Sequence, residues 1–99
     1  MSTFDLIGAA ESYSEYTKEL IKSKDTSIET LENLIKDCVI NISTSKIRVG
    51  KIDNGDVLEN VLLIFKSCIK LIMSDIRIQS NKDRYKFLVL HINKNGINI

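Results

Sequence analysis

Residues 57–78 have the sequence VLENVLLIFKSCIKLIMSDIRI, in which apolar side chains recur with the period of an α-helix. Two adjacent apolar rows run along this predicted helix: Val57, Val61, Phe65, Cys68, Ile72 and Ile76, and beside them Leu58, Leu62, Ile69 and Met73. A helix that is apolar over most of its circumference is normally packed on several sides. We therefore expect this helix, from Val57 to about Ile78, to lie at the centre of the fold.

The same helix predicts self-association, because Leu63, Ile64 and Leu71 spread its apolar surface beyond the two rows. A chain of 99 residues offers few other helices to cover that surface, and soluble monomers avoid large exposed apolar patches. A two-fold dimer would bury the excess. We predict a homodimer with Leu63, Ile64 and Leu71 at its seam. Lys66 and Lys70 interrupt the segment, so no membrane span is expected.

Two further helices are predicted before this one. Apolar residues over 3–22 recur with helical period. The next helix is expected to begin near Ile28, because Thr26 and Glu29 have the spacing of a capping box. Its end is predicted at residues 43–45, where Ser, Thr and Ser follow one another. The apolar stripe of this helix consists of Ile28, Leu31, Ile35, Cys38 and Ile42.

Two segments leave alternatives open. Residues 46–52 fit either a short strand or an extended connector. Residues 82–94 keep a helical step and are closed by Gly96, but they are also β-prone and could turn back as a hairpin. We favour a mainly α fold, with a small four-helix domain over residues 1–99 and a short extended connector. The alternative is an α+β fold with a small antiparallel sheet from 46–52 and 85–99.

Residue types with catalytic or metal-binding chemistry are sparse. His91 is the only histidine, and Cys38 and Cys68 are the only cysteines. None of the three has the spacing of a metal site or of a nucleophile turn. Both cysteines occur among apolar residues at helical spacing, so two buried free thiols are favoured over a disulfide. We expect no enzymatic activity, no metal site and no cofactor.

Charge is distributed unevenly along the chain, whose formal net charge is +1. Residues 1–65 carry seven Lys or Arg and eleven Asp or Glu, whereas residues 66–99 carry seven and two. Six cations of the second segment are candidate partner-binding residues: Lys66, Lys70, Arg77, Lys82, Arg84 and Lys86. Such a basic flank could contact the phosphates of a nucleic acid, but a solvated face balanced by the acidic segment is favoured.

Together these patterns favour protein interaction as the function. A strongly amphipathic helical frame without a catalytic constellation fits an inhibitor, an immunity- or antitoxin-type factor, or an adaptor. Nucleic-acid binding by the basic flank is the alternative. The first ten residues lack a basic region followed by an apolar run, so we expect no signal peptide and a cytoplasmic location. Abundant Ile, Lys and Asn indicate an AT-rich genome, as in some phages and viruses.

Overall fold

The computed structural model describes residues 3–50 and 55–99, and over these ranges it contains helices and no strand. The helices are α1 (Thr3–Lys22), α2 (Ile28–Gly50), α3 (Gly55–Met73), α4 (Ile76–Gln79) and α5 (Lys82–Lys94). The mainly α prediction is therefore confirmed, with four long helices and one short turn, α4. The α+β alternative is wrong for every described residue of 46–52 and 85–99.

Helix α3 occupies the centre, as its sequence predicts. Its most extensive contacts are with α2, and the next most extensive are with α1. The buried side chains of α3 are Val61, Phe65, Cys68, Ile69, Ile72 and Met73. On the facing side of α2 the buried apolar residues are Leu31, Leu34, Ile35, Cys38, Val39 and Ile42. The core is thus mainly the α2–α3 interface, with α1 packed against it.

Helix α2 begins one residue away from the predicted cap. The side chain of Ser27, rather than that of Thr26, caps the helix, because Ser27 Oγ accepts a hydrogen bond from the Thr30 backbone N–H at 3.1 Å. The Thr26 hydroxyl instead donates to the Leu20 carbonyl of α1 at 2.6 Å. Two adjacent hydroxyl residues can both fill the role of a cap, and tertiary contacts with α1 decide between them.

Helix α2 also continues past its predicted end at residues 43–45. It runs to Gly50, so the extended connector predicted over 46–52 is wrong for 46–50, and residues 51 and 52 lie outside the described ranges. Ser45 is buried, and it extends the inward-facing sequence of Cys38 and Ile42 by one more helical step. Ser and Thr cost a helix only a few tenths of a kcal/mol, so packing against the core outweighs their low helix propensity.

Helix α3 ends at Met73, before the predicted end near Ile78. Asp75 breaks the helix because its backbone is extended (φ −68°, ψ 139°) and its side chain caps α4 by accepting from the Arg77 N–H at 2.9 Å. The Gln79 side-chain amide donates to the Met73 carbonyl at 2.7 Å and so satisfies the end of α3. After the break, α4 still places Ile78 in the core, fully buried.

Helix α5 covers one side of α2 and has the bounds predicted from the sequence. Asn81 caps it by accepting from the Arg84 N–H at 3.2 Å. Leu88 and Ile92 point into the core, one turn apart. The burial of these two residues explains why the helical alternative prevails over the β-prone composition of this segment.

The chain after α5 turns back into the core at Gly96. This residue has φ +74°, in the left-handed region that favours glycine. The next backbone N–H, that of Ile97, donates to the Ile92 carbonyl at 3.2 Å, which is a common way to close a helix end. The Ile97 side chain is consequently buried.

Two glycine substitutions are expected to change stability in opposite directions. Gly96→Ala should lower the free energy of unfolding by about 1 kcal/mol, because an alanine is strained at positive φ. Gly8→Ala should raise it by about 0.5–1 kcal/mol, because Gly8 lies within α1 and alanine favours helix. A Cβ at either site meets nothing within 4 Å, so sterics do not obscure the comparison. Urea unfolding of both variants measures the effect, and equal signs would contradict it.

Candidate functional site

Arg77, predicted as a partner-binding cation, is used inside the fold. Its guanidinium donates to three backbone carbonyls at the end of α1 and in the link to α2: Ile21 at 2.7 Å, Ser23 at 2.8 Å and Thr26 at 3.1 Å. It also donates twice to the carboxylate of Asp75, each time at 2.8 Å. Arg77 therefore ties α4 to the α1–α2 connection, and few of its donors are left for a partner.

Asp75 and Arg77 also change each other's ionisation. The Arg77 guanidinium holds the pKa of the Asp75 carboxyl below its ordinary value, and a hydrogen bond from the Arg77 backbone N–H adds to this effect. The carboxylate in turn raises the pKa of Arg77. Because the Asp75 side chain is only 8% exposed, water weakens this pairing less than it weakens an ion pair at the surface.

The lowered pKa predicts a contribution to acid sensitivity. A depressed native pKa gives stability that is complete above the unfolded value, near 3.8 for Asp75, and is lost as pH falls from there through the native pKa. Asp75→Asn keeps the capping acceptor but removes the charge. We expect the wild type to lose more stability than this variant between pH 4 and pH 2, about the range of carboxyl titration. Urea unfolding across that range tests this, and parallel curves would contradict it.

The other predicted cations fall into two groups. Arg84 pairs with Glu32, and this ion pair joins α5 to α2. Lys70, Lys82 and Lys86 are exposed, Lys66 is half-buried, and none of these lysines forms an ion pair with a described residue. The structure thus separates two arginines that hold the fold from four lysines that are free to meet solvent or a partner.

The residues predicted for a dimer seam also have different environments. Leu63 and Leu71 are 61% and 42% exposed, and their spacing of eight residues places them on one face of α3. Ile64 is half-buried and packs against the core. It lines a shallow cleft beside α1 with Glu11, Ser14, Glu15 and Lys18.

Sequence reasoning missed an apolar cleft between α2 and α5. The cleft has a volume of about 370 Å³ and is lined by Lys36, Val39, Ile40, Ser43, Thr44, Ile47, His91 and Asn95. Ile40 and Ile47 are each more than half exposed at its rim. The available signal was that Ile40 and Ile47 lie off the inward stripe of α2, but residues 46–52 were expected to be extended, which hid that spacing.

The apolar surface continues from the cleft onto the outside of α5. Phe87 lies one helical turn before His91, and Leu90 lies one turn after Phe87. Both side chains are more than half exposed. We call Ile40, Ile47, Phe87 and Leu90, together with the cleft that they border, the α2–α5 face.

A polar cleft of about 440 Å³ adjoins the apolar one along the same pair of helices. It is lined by Glu29, Glu32, Asn33, Lys36 and Arg84, and Lys36 borders both clefts. Because Arg84 meets the early part of α2 and His91 meets its later part, α2 and α5 run in the same direction. The two clefts therefore form one groove, charged at one end and apolar at the other.

A small polar cluster lies inside the core, where α1, α2 and α3 meet. Cys38 and Cys68 are free and fully buried, and their thiols are hydrogen-bonded to each other. That hydrogen bond, together with burial, raises the pKa of Cys38. The Tyr13 hydroxyl donates to the Leu34 carbonyl at 3.1 Å, and burial raises the pKa of this phenol. Thr17 Oγ1 is buried without a hydrogen-bonding partner among the described residues.

Two searches of the described residues return nothing. Within 3–50 and 55–99, no group of three or more His, Cys, Asp or Glu side chains could hold a metal ion. None of the helices over those residues is long and apolar enough to cross a membrane. No protein-family model matches the chain, and no curated protein or solved structure shows significant similarity to it.

Proposed function

We propose that the protein is a small, non-enzymatic interaction domain that binds a partner protein through the α2–α5 face. The observation that carries this proposal is the exposure of four large apolar side chains around one cleft: Ile40, Ile47, Phe87 and Leu90. Contiguous exposed apolar surface in a small protein is typical of an interaction site. The roles that suit such a domain are those of an inhibitor, an immunity- or antitoxin-type factor, or an adaptor.

The shape of the groove favours an amphipathic helix as the segment of the partner that binds. Ile40 and Ile47 are separated by two helical turns, about 10 Å along α2. A partner helix would place apolar side chains from successive turns against them, as in other helix-in-groove complexes. The charged end of the groove, with Lys36, Arg84 and Glu32, would fix the direction in which that helix lies.

Charge-introducing variants of the α2–α5 face test this proposal. Ile47→Asp and Phe87→Asp should each reduce co-purification of the partner from cells of the source organism at least about tenfold, because each removes a central apolar contact and buries a charge. Fluorescence of an anilinonaphthalene dye, a direct probe of exposed apolar surface, should fall in both variants.

Ile76→Asp is the matched control for these variants. Ile76 is the most exposed of the large apolar residues described, but it lies on α4 beside a different cleft. It should leave partner recovery unchanged. Equal recovery with all three variants, each folded by circular dichroism, would rule out the α2–α5 face as the binding site.

We also propose that the protein forms a homodimer through the outer face of α3. The support for it is the exposure of Leu63 and Leu71 on that face. Ile64, the third residue predicted at the seam, is half covered within its own chain and would contribute only its edge.

Sedimentation at micromolar concentration is expected to give a dimer mass for the wild type. Leu63→Lys should give a monomer with an unchanged far-ultraviolet spectrum, because a lysine pair at a two-fold seam repels and is costly to desolvate. A monomer mass for the wild type throughout the micromolar range would end this proposal.

Nucleic-acid binding, the alternative function, has less support. Two of its six predicted cations, Arg77 and Arg84, already hydrogen-bond within the chain. The remaining lysines would still give binding that weakens steeply with salt. A gel shift at low salt tests it, and no shift at tens of micromolar, roughly the range of non-specific binding, would remove it.

A further inference from the structure

The cysteine pair in the core has a geometry that goes beyond two isolated buried thiols. Cys38 lies on α2 and Cys68 on α3, the two helices with the most extensive contact. Both side chains are fully buried, and their thiols are within hydrogen-bonding distance of each other. Side chains in a packed core have few alternative rotamers, so the two sulfur atoms are held together in the folded state.

We propose that Cys38 and Cys68 are a redox modification site that forms an intrachain disulfide between α2 and α3 on exposure to a peroxide or a disulfide oxidant. With hydrogen peroxide, one thiolate attacks an oxygen atom and becomes a sulfenic acid, and the other oxygen leaves as water. The second thiol then attacks the sulfenic sulfur, the S–S bond forms, and a second water leaves. The pair loses two protons and two electrons, and the peroxide is reduced to two molecules of water.

The surroundings of the pair favour the formation of this bond. Ser14 and Cys38 both hydrogen-bond to Cys68, and these contacts favour its thiolate, the form that attacks an oxidant. The buried hydroxyl of Thr17, which has no partner of its own among the described residues, also faces Cys68. The bridge would close a loop of roughly 30 residues, which includes the end of α2 and the first half of α3.

The experiment compares the same disulfide in the folded and unfolded chain. The full-length protein is equilibrated in glutathione redox buffers, with and without guanidinium, and free thiols are trapped by alkylation and counted by mass spectrometry. Each equilibrium is approached from the reduced and from the oxidised protein, so slow exchange of a buried thiol cannot distort the result. Folding and the disulfide must favour each other equally, because the two equilibria are linked.

We expect the effective concentration of the thiol pair to be at least about tenfold higher in the folded than in the unfolded protein, since a native-compatible bridge stabilises folding. The oxidised monomer should lack the mass of two hydrogen atoms and should unfold at a higher temperature than the reduced one. An effective concentration no higher in the folded protein would overturn the proposal, because it would mean that the helices hold the sulfur atoms in a geometry that resists bonding.

Cys38→Ser provides the control for specificity. This variant should form only mixed disulfides with glutathione or disulfide-linked dimers, and never an oxidised monomer without added glutathione. If the wild type under native conditions gives the same products as Cys38→Ser, the thiol pair is not a disulfide site and the proposal fails. Neither result depends on the α2–α5 face.

Discussion

Arg77→Ala is expected to lower the free energy of unfolding by about 3 kcal/mol, since hydrogen bonds to charged groups contribute more than neutral ones. The substitution leaves the carbonyls of Ile21, Ser23 and Thr26 without their donor. It also leaves the nearly buried carboxylate of Asp75 without its counter-charge, which adds a desolvation penalty. The contact between α4 and the α1–α2 link should loosen as a result.

Arg84→Ala is the matched control for this prediction. Arg84 makes a single ion pair, with Glu32, and its side chain is 38% exposed. Its loss should cost no more than about 1 kcal/mol, as for other partly exposed ion pairs. Guanidinium unfolding of the two variants measures both effects. Equal losses would show that the network around Arg77 contributes no more than one surface pair.

Ile72→Ala is expected to be the most destabilising of the single core truncations in α3, with a loss of about 2–5 kcal/mol. Ile72 is fully buried at the α2–α3 interface, so the substitution removes apolar burial and leaves a cavity. A loss of that size is a large part of the stability of an ordinary small domain. Thermal unfolding should show a clear fall in Tm.

Leu71→Ala, one residue earlier, separates burial from the choice of residue type. Leu71 is 42% exposed, so truncation within an isolated chain should cost less than about 1 kcal/mol. If the proposed homodimer forms, the loss should increase with protein concentration, because the dimer seam adds to stability by mass action. Equal effects of Leu71→Ala and Ile72→Ala in a monomer would contradict the packing described for α3.

The parts of the fold that the sequence predicts well are those set by local periodicity. The bounds of α1 and α5 and the central position of α3 all follow from apolar side chains that recur at helical spacing. The two errors of helix length have one cause. At residues 43–45 low helix propensity is outweighed by burial of Ser45, and at Asp75 a strong capping interaction ends a helix whose apolar pattern continues to Ile78.

The candidate site was less predictable because it depends on contacts between distant segments. The role of Arg77 requires carbonyls more than fifty residues away in the chain, and no spacing of residue types indicates them. The α2–α5 face likewise arises only when His91 is placed beside Ile40 and Ile47. By contrast, the exposure of Leu63 and Leu71 could be expected, since both lie outside the two apolar rows of α3.

The way in which α5 is attached has a consequence for local opening. This helix makes its main contacts with α4 and α2, and only Leu88, Ile92 and the following Ile97 anchor it in the core. Segments with few buried anchors open at lower free energy than the rest of a protein. The amide hydrogens of α5 should therefore exchange with solvent before those of α2 and α3. A ligand that bridges both walls of the groove would slow that exchange, so isotope uptake in α5 would serve as a reporter of occupancy.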